Sequence, residues 1–356
     1  MDFSLFYFSG NGSTTCQDKY RLLLEGAKFA DRNGFSAVWV PERHFDAFGG
    51  LYPNPSVAGA AISTITENIQ IRSGSIVVPL QNPLRVAEEW AMVDNLSSGR
   101  ASLSFAPGWH PNDFVFYPEK YANKKAIMWR DIEVIKNLWR GESIDLKNGT
   151  NKSISVKTFP HPIQKELPVW ITALSDETFI DSGRIGANIL TSPLYQSLNE
   201  ILRKVSLYRQ SLAENGYDPE AGKVALMIHT FIDEDINTVR QKVKTPFKNY
   251  LKTHFDLVVK SAGDLWASVD PEMLTPQDLE DLLDFSFETY FDGKVLMGTP
   301  EDCKQKIDDL RQAGVDDVAA LIDFGVEFDW VMESLQHLNE IKQVFTSSQP
   351  AQTLAC

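Results

Sequence analysis

Hydrophobic and polar positions along the chain alternate between two periods. Short, strand-like apolar runs are followed, almost throughout, by stretches with the longer repeat of helices. The pattern predicts strands at 3–8, 37–40, 69–78, 102–106, 169–173, 188–191, 224–232 and 317–324. Helices are predicted between them, at 19–33, 56–66, 83–96, 119–140, 239–254 and 328–345. The run GTPEDCKQKIDDLRQAG is a further helix, with Thr299 as N-cap, Pro300 in its first turn and Gly314 at its end. Eight strands, each followed by a helix, predict an α/β protein built as one (β/α)8 TIM barrel over 1–345. Two segments break the pattern: 141–167 reads as an insertion, and about 256–294, including Trp266, as an active-site lid. The polar stretch 346–356 reads as a disordered tail or linker.

Composition narrows the function classes. With 43% hydrophobic residues the chain can bury a large core, and 23% charged residues is ordinary for a globular protein. A net charge of −14 argues against a nucleic-acid partner, whose footprint is a basic stripe, and against docking on anionic lipid. Three scattered cysteines, Cys16, Cys303 and Cys356, have neither zinc spacing nor the look of a disulfide framework. The opening MDFSLFYF lacks a basic region and reads as a strand, and no apolar run approaches the ~20 residues of a membrane span. A soluble, cytoplasmic protein is expected.

In a barrel of this kind the chemistry sits in the loops after the strands. After the second strand, PERHF sets Glu42, Arg43 and His44 side by side. Successive residues leaving a strand point to different sides, so at most two of the three face one pocket. Arg43 or His44 acting on a reacting oxygen is one reading. A structural Glu42–Arg43 ion pair beside a hydrogen-bonded histidine is the other. After the fourth strand, GWHPNDF offers Trp109 and His110 to a planar ring, or else forms a rigid turn anchored in the core by Trp109. LSDETF starts a helix whose free N–H groups suit a phosphate, but Asp176 and Glu177 compete for those donors, so an ordinary cap is the simpler reading. Gly74 inside a strand suggests a bulge or the close approach of something flat. His161, His229, His254 and His337 read as surface or packing residues, and no metal-ligand spacing occurs. There is no GxGxxG, Walker loop, GxSxG or HExxH.

VWVPERHF, NPSVAGAAI, GSIVVPLQNPLRVAEEWAMVDNLSSGR, GWHPNDF, PVWITALSDETF with IGANILT, and GTPEDCKQKIDDLRQAGVDDV occur in that order over nearly the whole chain. Together they resemble the bacterial luciferase-like flavin-dependent monooxygenases. SLFYFSGNGS, PERHF and GWHPNDFVF are similar to the variety found in polyketide and nonribosomal peptide biosynthesis. The resemblance implies a homodimeric barrel that takes reduced FMN from a separate flavin reductase and reacts it with oxygen. It places a non-prolyl cis peptide at Gly74–Ser75 beneath the flavin ring, Ser175 and Thr178 on the flavin phosphate, and Trp109 and His110 beside the ring. Glu42 and Ala106 join the cofactor-binding set, and Arg43, His44 and His110 the catalytic one. No metal is implied.

Where the light-emitting members carry adjacent histidines this chain has Arg43 then His44, and where they carry a cysteine and an arginine it has Ala106 and Pro107. Light emission is therefore not expected, and the phosphate needs a cation from elsewhere. A guanidinium near the reactive flavin oxygen favours its anionic, nucleophilic form, which attacks a carbonyl. Baeyer–Villiger-type insertion next to a carbonyl of a polyketide- or peptide-type intermediate, free or carrier-bound, is thus expected. Hydroxylation, deazaflavin-dependent hydride transfer and a non-catalytic flavin-binding protein remain open.

Overall fold

The eight strands that the pattern predicts are all present and buried along almost their whole length, as parallel strands covered on both faces must be. They belong to a computed structural model that describes residues 1–8, 19–46, 49–253 and 275–347. The first four are β1 (Asp2–Tyr7), β2 (Ala37–Val40), β3 (Gln70–Val77) and β4 (Ala101–Ala106). A short antiparallel hairpin, β5 (Ile144–Lys147) and β6 (Ser153–Val156), occupies the segment that the pattern left outside the alternation. β7 (Val169–Thr172), β8 (Asn188–Thr191), β9 (Val224–Ile232), β10 (Leu296–Gly298) and β11 (Asp317–Asp323) follow. The order β1-β2-β3-β4-β7-β8-β9-β11, with β11 pairing back to β1, closes an all-parallel (β/α)8 TIM barrel. β10 lies outside that ring and pairs with the end of β9, Leu296 opposite Thr230.

Ten helices are described: α1 (Arg21–Arg32), α2 (Pro55–Ser63), α3 (Pro83–Leu96), α4 (Lys124–Trp139), α5 (Asp176–Arg184), α6 (Leu198–Glu214), α7 (Ile236–Thr253), α8 (Pro276–Gly293), α9 (Pro300–Gln312) and α10 (Phe328–Ser347). Their starts follow local chemistry. Asn82 caps α3 ahead of Pro83, and Ser197–Glu200 and Thr299–Asp302 form reciprocal capping boxes on α6 and α9. Among the described residues no helix is long and apolar enough to cross a membrane.

One expectation is corrected. The pattern predicts an irregular lid over about 256–294, but α8 fills most of the second half of that segment. Thr275 and Asp278 close a capping box there, and Leu282, Leu283, Ser286, Phe287, Tyr290 and Phe291 form its buried face. The run of acids along the same helix hides that apolar stripe from a pattern reading. Trp266 and its neighbours lie outside the described residues, as does 348–356 of the tail, while α10 runs on to Ser347.

The inside of the barrel is aromatic and polar. Trp39 of β2 and Trp170 of β7 meet edge to face across it, ring centroids 5.0 Å apart, and Phe6 stacks on Trp39. The Arg72 guanidinium lies over both indoles, at 4.8 and 4.5 Å, and pairs with Asp317 at 2.8 Å. Ser4 donates to the same carboxylate, and the Trp39 N–H donates to Ser4. Burial pushes Arg72 down and Asp317 up from their usual pKa ranges, each opposed by the other's charge. This network floors the barrel beneath the site.

Candidate active site

The site is built from the ends of β2, β3, β4 and β7. Gly74–Ser75 in β3 is a cis peptide, and the pairing of β3 with β4 shifts register between Ser73 and Ile76. Side-chain hydroxyls replace the interrupted ladder: Ser73 exchanges bonds with the Ser104 backbone at 2.8 and 3.0 Å. Ser75, Ser104 and Thr172 join their hydroxyls into one cluster, with Ser104 3.1 Å from Ser75 and 3.2 Å from Thr172. A Cβ on Gly74 would fall 2.8 Å from the Phe6 ring and 3.1 Å from Trp39, so only glycine fits this close approach. The expected cis bond is present, and the register of the ladder is broken around the glycine.

PERHF divides as the alternation of a leaving strand requires. Glu42 and His44 point to one side and Arg43 to the other. The Glu42 side chain is fully buried and accepts three donors: the Val77 N–H at 2.7 Å, His44 Nε2 at 2.9 Å, and the Gln81 amide. The Val77 bond ties the loop to β3 just past the cis peptide. Arg43, 2% exposed, does not pair with Glu42. It pairs instead with Asp113 of the loop after β4, and with Asp46 at 3.1 Å, and also donates to the His44 carbonyl at 3.2 Å. Its Nε is buried and has no hydrogen-bond partner among the described residues. Burial pushes the Asp113 carboxyl above its usual range, with Arg43 pulling the other way.

Trp109 is 52% exposed, so it does not anchor its loop in the core; its ring lies 5.3 Å from the Arg43 guanidinium. His110 stands edge-on to Trp109 and takes the Asn112 N–H on Nδ1 at 3.3 Å, outside the Glu42–His44 pair. Ala106 ends β4, half-buried. Ser175 caps α5, accepting the Thr178 N–H at 3.3 Å, and its hydroxyl lies 2.9 Å from that of Thr178. Thr172 of the hydroxyl cluster stands three residues before this cap on the same strand end. His229 is buried among Phe247, Tyr250 and Phe324, and no metal-binding group occurs among the described residues. His254 lies outside them.

Sequence reasoning selected the loop of Asp113 without giving that residue a role, and missed Ser104, Thr172 and Tyr52, whose hydroxyl donates to Asp323 at the end of β11 while its carbonyl accepts the Arg43 N–H. Strand-end position was the available signal for Thr172 and Asp323. Nothing local marks Tyr52.

A sequence model of the family described as luciferase-like monooxygenase matches residues 1–317. The chain belongs to the luciferase-like monooxygenases. It is 26% identical over 360 residues to the oxygenase component of flavin-dependent trigonelline monooxygenase from Acinetobacter baylyi, covering 98% of this chain and 96% of that one. Among solved structures it is similar to the monooxygenase RslO1 from Streptomyces bottropensis, with a TM-score of 0.81 at 20% identity over 97% of this chain and 100% of that chain. The oxygenating constituent of 3,6-diketocamphane monooxygenase from Pseudomonas putida, a type II Baeyer–Villiger enzyme in complex with FMN, gives a TM-score of 0.75 at 17% identity, covering 96% and 97%. As a luciferase-like monooxygenase the chain is a flavin-dependent enzyme.

Proposed function

We propose that this chain is the FMN-dependent oxygenase of a two-component system, inserting one oxygen atom next to a carbonyl of a small organic or carrier-borne substrate. The observation that carries the reading is the Glu42–Val77 bond, which joins the Arg43- and His44-bearing loop to the cis-peptide shelf of β3. The residues present fit a flavin. Arg43 Nε is a buried donor with no acceptor among the described residues, and the shelf leads along β7 to the hydroxyl-lined N-terminus of α5, where Ser175 and Thr178 would hold the phosphate. The two acids that argued against an anion there are occupied, Asp176 by Arg203 and Glu177 by Lys125. Reduced FMN, when bound and supplied by a separate reductase, provides the electrons that activate oxygen.

The chain's own groups then divide the work. Glu42, as a carboxylate, accepts from Nε2 of His44, so that atom keeps the proton and Nδ1 is left as an acceptor. Among the described residues Nδ1 has no partner, so it can take or return a proton at the substrate. Arg43 has its terminal nitrogens committed to Asp113 and Asp46, which fixes the plane of the guanidinium. Its Nε–H remains to meet negative charge developing on the former carbonyl oxygen during insertion. Ser75 is part of the shelf, Ala106 pairs with Val77 just beyond it, and Trp109 lies beside Arg43. Hydroxylation is the second reading, favoured by the same His44 Nδ1.

The test offers carbonyl compounds, free and thioester-bound, with reduced FMN and labelled oxygen. An ester or lactone carrying one labelled atom, lost about 100-fold in Arg43→Ala, is expected. A labelled alcohol assigns hydroxylation. A reduced, unlabelled product formed without oxygen refutes both.

A further inference from the structure

The corner where β7 meets α5 carries more positive charge than its ion pairs use. Asp176 takes two hydrogen bonds from Arg203, at 2.6 and 2.7 Å, and Glu177 meets Lys125 at 2.5 Å. Behind them, on the buried face of α6, stands Lys204, 9% exposed. Its Nζ donates to the Leu174 carbonyl at 2.7 Å and to Gln196 Oε1 at 2.8 Å. Gln196 in turn donates to the Thr191 hydroxyl and the Ser192 carbonyl, both at 2.8 Å. Among the described residues Lys204 makes no ion pair, unlike Lys248, which is buried to the same degree and pairs with Glu280 and Asp284. A lysine is rarely buried without a counter-charge, because desolvation disfavours its ammonium form. Two neutral oxygens leave one ammonium hydrogen unbonded, and the carboxylates that feel its charge, Asp176 and Glu200, form no ion pair with it.

We propose that Lys204 is the positioning residue of the flavin's phosphate end, acting as buried counter-charge to a phosphate monoester at the α5 N-terminus. Its bond to Leu174 sets the residue that immediately precedes the Ser175 cap, and so aims the Ser175 and Thr178 hydroxyls. The charge supplies the cation that Pro107 does not. The inference rests on the reading of this chain as an FMN enzyme.

The test compares FMN with riboflavin, which has the same ring and no phosphate, both fully reduced, by anaerobic titration of the full-length chain followed through its tryptophan fluorescence. The wild type should bind FMN at least tenfold more tightly than riboflavin, with inorganic phosphate competing against FMN alone. Lys204→Met should lose at least tenfold affinity for FMN and less than twofold for riboflavin, and Lys204→Arg should recover part of the loss. Gln196→Glu, which neutralises the ammonium without removing it, should show the same selective loss and serves if Lys204→Met does not fold. Equal loss of both flavins in these variants, or no loss of either, overturns the role of Lys204 while leaving the enzyme's cofactor in place. A wild type that binds neither flavin overturns the functional reading itself.

Discussion

Replacing Glu42 separates the structural from the chemical work of the loop after β2. Glu42→Ala removes the acceptor of the Val77 N–H and releases His44 and the Gln81 amide. A buried donor left without an acceptor costs about 1–3 kcal/mol. Val77 is buried, while His44 and Gln81 retain some access to solvent, so the total should be about 2–4 kcal/mol. For 356 residues the unfolding entropy is about 0.7 kcal/mol/K, so Tm should fall by about 3–6 °C. Glu42→Gln is gentler. Its carbonyl keeps one donor, and the amide can face His44 if the imidazole moves its proton from Nε2 to Nδ1. Stability should then change by about 1 kcal/mol or less, but Nδ1 becomes a donor and can no longer take a proton. Loss of a positioned general base costs about 100-fold or more in rate. Calorimetry, and product formation under labelled oxygen, read the two effects separately. Glu42→Gln oxygenating within about threefold of wild type would refute the assigned proton position. Equal losses of Tm in the two variants would refute the donor accounting.

Gly74→Ala forces a methyl against Phe6 and Trp39 and should cost about 1–3 kcal/mol in thermal unfolding, whereas an unchanged melt would mean that the shelf yields. Asp317→Asn leaves the Arg72 charge buried between two indoles without a carboxylate and should cost about 3–5 kcal/mol by urea titration; less than about 1 kcal/mol would show that Arg72 finds another partner. Asp31 is raised by burial but held below its usual range overall by the N–H groups of Ile69, Asn68 and Glu67. A depressed carboxyl stabilises above its unfolded pKa and loses that contribution as pH falls through the folded value. The Asp31→Asn variant should therefore be less stable than wild type by about 1 kcal/mol at neutral pH, allowing for solvent screening, with the gap closing below about pH 3.9; a constant gap would contradict this.

Alternation of apolar runs determined the barrel, because parallel strands buried on both faces leave a continuous hydrophobic signature and each helix leaves a stripe. Capping residues determined where α3 and α9 begin, since an N-cap acts within one turn. Strand-end position selected Glu42, Arg43, His44, Trp109 and Ser175 as candidates before any contact was known. Partners were another matter. Whether Arg43 pairs with adjacent Glu42 or with Asp113, 70 residues on, is settled by which loops the closed barrel brings together. The buried lysine behind α5 and the tyrosine that joins Arg43 to β11 carry no local mark, because their roles exist only across strands distant in sequence. Periodicity records which face of an element is buried. It does not record what the buried polar atoms on that face will meet, and in this protein those meetings make the site.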